Sequence, residues 1–219
     1  MDREELLKIA NPILFNTKMV QAILDGRKTV TRRIWKDWNK YAVPDMSLYD
    51  ADKKTYAVHT FEDQEHKKKI SMIERRCPIC PGDILYVRET WCKNPNYKEY
   101  YFKTRPRGIA PYELKWKPSI HMPKEAARIF LKVTDVRVER LQEITPAQAE
   151  QEGVGDLFYE EIGYDDKNYG NPVDEKYGIA KEQFAWLWNS LIKKSDIDIY
   201  GWDADPRVWV IEFERIEVE

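Results

Sequence analysis

Cysteine is scarce. Three residues in 219 cannot form a disulfide framework, which fits a reducing compartment. No stretch approaches the roughly 20 apolar residues that a membrane span needs. The opening residues, MDREELLKIANP, are acidic and amphipathic and lack the apolar centre of a secretory signal. The expected location is therefore the cytoplasm, with no membrane partner. A Gly-rich phosphate loop, HExxH and GxSxG are all missing, which sets aside nucleoside triphosphatase, metalloprotease and lipase chemistry. Repeats and low-complexity tracts are absent as well. What is present is a globular composition, 42% hydrophobic and 34% charged, with eight Trp and thirteen Tyr. Such rings fill cores or stack on flat ligands.

The net charge of −2 conceals an asymmetry. Residues 1–140 carry 29 Lys and Arg against 19 Asp and Glu, whereas residues 141–219 carry 7 against 19. Either the basic part attracts phosphates or the two parts neutralise each other within one fold.

Local patterns supply an element order. Glu4 to Ala10 is helical in composition and Asn11-Pro12 breaks it. Ile13 to Phe15 reads as a buried strand. Asn16 or Thr17 caps a helix with Met19, Val20, Ile23 and Leu24 at helical spacing, closed by Gly26. Lys28 to Ile34 is β-branched and reads as a strand. Residues 35–80 are polar, carry the run Lys67-Lys68-Lys69, and show no sustained period; they are expected to be an insertion. Strands are expected over Asp83 to Glu89, Glu99 to Phe102 and Arg128 to Leu141, the last with a change of phase near Thr134-Asp135. Thr145 caps a short helix with Pro146 at its first position and Gly153 past its end. Residues 155–180 read as a loop. Lys181 to Lys194 is an amphipathic helix with Phe184, Leu187, Trp188 and Leu191 on one face. Arg207 to Ile216 is a closing strand. Short helices between strands that cannot form regular βαβ units favour an α+β fold, a small mixed or antiparallel barrel with flanking helices. The whole chain, 1–219, is expected to be one domain with insertions near 35–80, 92–120 and 155–180.

The densest chemistry lies in Asp25-Gly26-Arg27-Lys28-Thr29-Val30-Thr31-Arg32-Arg33. In an ideal strand Lys28 and Thr31 face opposite sides. They share a site only if Lys28 lies in the turn after Gly26 or if the strand is bulged. Such a pair suits amide hydrolysis. A threonine hydroxyl needs a neighbouring base, and a lysine amine serves as one when burial or nearby cations depress its pKa. Arg27, Arg32 and Arg33 supply the cations. A third group must stabilise the oxyanion or protonate the leaving nitrogen. The competing reading is a basic, exposed edge strand with surface threonines.

The spacing Gly26-x-Lys28-x-x-Thr31-x-Arg33 resembles the signature of the ASCH superfamily, whose fold is PUA-like. The threonine form is similar to the small bacterial N4-acetylcytidine amidohydrolases, which split N4-acetylcytidine into cytidine and acetate. The resemblance implies Thr31 as nucleophile and Lys28 as its base. It also implies a later glutamate, which the stretch Ala149-Glu150-Gln151-Glu152 assigns to Glu152, at the oxyanion or leaving group. Arg33 would orient the substrate, beside Arg27. The segments 81–91, 116–145 and 201–216 resemble phage and prophage ASCH proteins. By this resemblance the chain binds a nucleoside, RNA or DNA and hydrolyses an N4-acylated cytidine or related base without any cofactor. Two alternatives stand beside it, a non-catalytic RNA or modified-base module and a ribonuclease.

Three further features remain. In the ASCH pattern Arg88-Glu89-Thr90-Trp91 lines the barrel, so Glu89 and Trp91 would meet a base; a buried ion pair packed by the ring is the alternative. His121 sits beside a proline turn, where it would hydrogen-bond near a pocket. Cys77 and Cys80 have the spacing of a zinc half-site, and His59, His66, Cys92 and His121 are the available further ligands. Without a second CxxC or HxxxH, no metal is expected.

Overall fold

The computed structural model describes the backbone of residues 1–36, 44–50, 52, 54–63, 68–76, 78–93, 99–104, 115–155 and 172–218, and for 44–49, 56–63, 68–76 and 172–179 the backbone alone. The fold is α+β. Helix α1 (Arg3–Ile9) starts with a capping box: Asp2 accepts from the Glu5 N–H at 2.8 Å, and Glu5 accepts from the Asp2 N–H at 3.1 Å. Strand β1 (Asn11–Leu14) follows, then helix α2 (Thr17–Leu24), capped by the Asn16 side chain on the Met19 N–H at 2.9 Å. Next come β2 (Val30–Ile34), β3 (Pro44–Asp50), β4 (Thr55–Asp63), β5 (Lys68–Arg76), β6 (Ile84–Arg88), β7 (Trp91–Lys93), β8 (Tyr100–Phe102) and β9 (Phe130–Arg140). Helices α3 (Pro146–Gln151), α4 (Pro172–Leu191) and α5 (Ile197–Tyr200) precede β10 (Arg207–Ile216).

A five-stranded sheet has the order β1-β6-β9-β10-β2; β3-β4-β5 and β7-β8 form separate antiparallel sheets. Among the described residues no sheet closes into a barrel. The chain divides into two compact units, 1–29 with 82–134 and 213–219, and 30–81 with 135–212. Strands β9 and β10 contribute residues to both.

In the first unit β1 runs parallel to β6, with Ile13 opposite Val87, and β6 pairs antiparallel with β9, Leu85 opposite Leu131. Its core gathers Leu6, Ala10, Tyr86, Trp91, Met122 and Phe130. The Arg3 guanidinium donates to the Ala127 carbonyl at 3.1 and 3.2 Å and also to that of Glu125, tying α1 to the turn before β9.

In the second unit β2 pairs antiparallel with β10, placing Thr31 opposite Ile211 and Arg33 opposite Trp209. Val208 to Ile211 are all buried, so β10 is covered on both faces there. Thr145 caps α3 through the Gln148 N–H, Pro146 opens it, and Gly153 follows at φ +88°. Helix α4 packs on α3. The Trp188 indole donates to the Tyr200 carbonyl at 2.7 Å, anchoring α4 to α5.

Several expectations change. Residues 44–76 are not without period: they hold three hydrogen-bonded strands, whose alternation is obscured by register shifts near Phe61. Residues 172–180 are helical rather than loop, because α4 starts at Pro172, and it stops at Leu191 rather than Lys194. Leu191 is consequently 62% exposed instead of on the buried face. On β9, Val133 and Val136 are buried while Thr134 and Asp135 are exposed, which is the expected phase change, and the chain passes from the first unit to the second at that point. No helix among the described residues is long and apolar enough to cross a membrane.

Candidate active site

The turn after α2 sets Lys28. Gly26 takes φ +75°, a left-handed conformation that favours glycine, and the Arg27 and Lys28 N–H groups both donate to the Ala22 carbonyl, at 2.9 and 3.0 Å. Strand β2 begins only at Val30, so Lys28 lies in the turn, one of the two arrangements that the spacing required. Its ammonium lies 5.5 Å from the Phe15 ring centroid, a cation–π distance within the first unit.

Among the described residues the buried polar or charged side chains are Lys28 and Thr31 at 3% exposed, Arg32 at 3%, Glu89 and Gln183 at 1%, and Glu152 at 4%. Polar groups are seldom buried without partners or purpose.

In the second unit Arg32 follows Thr31 on β2, and both are buried. The Arg32 guanidinium is enclosed. Nη1 donates to Glu152 Oε1 at 3.3 Å, Nη2 to Glu139 Oε2 at 3.1 Å and to Gln148 Oε1 at 3.2 Å, and Cζ lies 5.9 Å from the Phe184 ring centroid. Glu139 Oε1 in turn accepts from Arg137 Nε at 2.6 Å, and Arg137 also holds Asp135 at 3.1 Å and Glu212. Charge thus alternates from the partly exposed Glu212 and Arg137 through Glu139 to the enclosed Arg32 and Glu152. Burial lowers the Arg33 guanidinium pKa and the Glu152 charge pushes back, so Glu152 acts electrostatically on both arginines. Glu152 itself caps the C-terminus of α3, where a carboxylate opposes the helix dipole. Two neighbouring guanidiniums offset that.

Glu89 belongs to another arrangement, in the first unit. Oε1 accepts from Arg128 Nε at 2.8 Å, and Oε2 accepts from Arg128 Nη2 at 2.8 Å and from Thr104 Oγ1 at 2.6 Å. Arg128 also stacks on Phe102, 4.3 Å from centroid. The adjacent Arg88 turns away and donates to the Met122 carbonyl at 3.0 and 3.1 Å. Both Glu89 oxygens are therefore engaged by a fork-like guanidinium. Trp91 is buried against Tyr100, 5.7 Å between centroids, with the Lys117 ammonium 5.0 Å from its ring and its indole N–H unpartnered among the described residues.

His121 is exposed at the end of a 3-10 turn, and Arg27 is exposed as well, 3.7 Å from Asp25. Cys80 and Cys92 are buried and form no disulfide among the described residues, whereas Cys77, His66 and the His59 side chain lie outside the described residues. Among the described residues no group of three or more His, Cys, Asp or Glu is placed to hold a metal ion.

The sequence reading used Arg32 only as a nearby cation and passed over Glu139, Arg128, Thr104 and Gln183. One clue to Gln183 was available: it interrupts the stripe Ala180, Phe184, Leu187, Trp188 with an amide. Arg128 and Thr104 carried no comparable mark, since each meets Glu89 only through folding. No family model, curated protein or solved structure matches this chain.

Proposed function

We propose that this chain is an ASCH-type protein whose five-stranded sheet is a PUA-like core. On this reading it binds a nucleoside or nucleic acid and hydrolyses the amide of an N4-acylated cytidine such as N4-acetylcytidine. One observation carries the reading: the three residues chosen by motif spacing, Lys28, Thr31 and Glu152, are three of the six buried polar side chains among the described residues. A surface basic strand with solvated threonines would leave them exposed. Shelter from water is what an amine base and a hydroxyl nucleophile require.

In this reaction Thr31 Oγ attacks the acyl carbon while the Lys28 amine takes the hydroxyl proton. Glu152 assists at the oxyanion or at the leaving nitrogen. Collapse breaks the bond from the acyl carbon to N4, and the proton passes to N4. Cytidine leaves and the acyl group remains as an ester on Thr31. Water then attacks the ester, Lys28 again relays the proton, and acetate departs with the hydroxyl restored. Arg33, whose charge couples to Glu152, orients the substrate. The route calls for no metal or organic cofactor.

Acetate release from N4-acetylcytidine tests it. Thr31→Ala and Lys28→Ala are each expected to lose at least about 100-fold in kcat/KM. Equal turnover in wild type and both variants rejects the assignment. Salt-sensitive binding of oligonucleotides with no acetate released identifies a non-catalytic module, and cleavage of RNA identifies a nuclease.

A further inference from the structure

Helix α4 turns Ala180, Gln183, Phe184, Leu187 and Trp188 inward at helical spacing. All are apolar except Gln183. Its side chain is 1% exposed, and among the described residues neither Oε1 nor Nε2 has a hydrogen-bond partner. A buried amide with donor and acceptor both unmet is rare, because each forgoes the hydrogen bonds it had in water.

The surroundings are polar for a helix core. The next residue, Phe184, carries the Arg32 guanidinium over its ring at 5.9 Å. Helix α3, against which α4 packs, bears Gln148 and ends at Glu152. Arg32 Nε is another buried donor without a partner among the described residues. Among the described residues the second unit therefore holds an unmet donor and acceptor on α4 and an unmet donor on the guanidinium that binds Glu152.

We infer that Gln183 is a recognition residue, whose amide pairs with a ligand edge carrying a hydrogen-bond donor next to an acceptor. The inference rests on the nucleoside reading above and names the part of the base that is read. Cytosine offers N3 as acceptor beside the N4–H donor, and N4-acylation leaves one N4–H in place. Gln183 Nε2 donates to N3 while Oε1 accepts from N4–H. An ordered water filling the same positions would satisfy the amide without giving it a part in recognition.

Calorimetric titration of the intact protein separates these cases, with cytidine and N4,N4-dimethylcytidine as probes and with N4-acetylcytidine in a Thr31→Ala background that does not turn it over. For Gln183→Leu the unliganded melting temperature is expected to be at or above that of wild type, because an unpaired amide has been removed. Its Kd for N4-acetylcytidine is expected to rise about 10- to 100-fold, the range of one two-point base contact. Wild type is expected to bind N4,N4-dimethylcytidine, which has no N4–H, more weakly than cytidine by a similar factor. Unchanged affinity in Gln183→Leu overturns the inference and leaves the nucleoside reading standing. If that variant does not fold, the wild-type comparison decides, and equal affinity for cytidine and its dimethyl derivative overturns it. Binding of none of the three overturns the inference and the nucleoside reading together.

Discussion

Arg32 Nη1 donates to Glu152 Oε1 at 3.3 Å across 120 residues of sequence, and both side chains are enclosed. The same guanidinium reaches Glu139 at 3.1 Å, so one arginine serves two carboxylates.

Removing Arg32 is expected to cost more than removing either acid. Arg32→Leu leaves the carboxylate of Glu152 buried without the guanidinium beside it, which for enclosed pairs costs about 3–5 kcal/mol. Glu152→Gln removes the charge along with the interaction and is expected to cost about 1–2 kcal/mol. Urea denaturation of both variants measures the order. Arg32→Leu as stable as Glu152→Gln would show that the pair is not what holds Glu152.

Gly26 at φ +75° sets the turn that carries Lys28. A Cβ there meets nothing within 4 Å, so Gly26→Ala meets conformational strain and no clash. The expected loss is about 1–2 kcal/mol in unfolding free energy. Acetate release should fall further than stability alone explains, because the Lys28 N–H bond to Ala22 is part of the strained turn. Kinetics unchanged at full folding would separate Lys28 from the reaction.

The Glu89–Arg128 pair is a stability element of the first unit. Arg128→Met strips two hydrogen bonds at 2.8 Å from a buried carboxylate and leaves it only Thr104. The expected cost is about 2–3 kcal/mol, below that of a fully buried pair because Arg128 is partly exposed. A loss below about 0.5 kcal/mol in denaturant unfolding would mean that the pair is solvated in solution.

Cys92 is buried, and desolvation raises its thiol pKa above the ordinary value. The native state therefore holds the proton more tightly than the unfolded chain does. That contribution to stability is whole below about pH 8.5 and is lost as pH rises through the folded value. Labelling of native protein with a thiol reagent at pH 8 should leave Cys92 unmodified until denaturant is added. Rapid native labelling at Cys92 by peptide mapping would contradict its burial.

Caps and alternation were legible in the sequence. Asn16, Thr145 and Pro146 mark helix starts and Gly26 and Gly153 mark ends, because each satisfies or frees backbone groups within a few residues of itself. Strand β10 runs from Arg207 to Ile216, the bounds expected for the closing strand. The β3-β4-β5 sheet was not legible, since its pairing is antiparallel and shifts register while its residues are polar. The start of α4 at Pro172 was hidden by a Gly-, Tyr- and Asp-rich approach.

By itself the sequence determined the local grammar: where helices begin and stop, and that Lys28 follows a glycine turn. These depend on forces that act over a few residues. Only the tertiary structure decided that Arg32 faces Glu139 and Glu152, that Arg128 rather than Arg88 holds Glu89, and that Gln183 is left without a partner among the described residues. Those outcomes turn on desolvation and pairing between side chains far apart along the chain, and neither quantity exists until the elements pack.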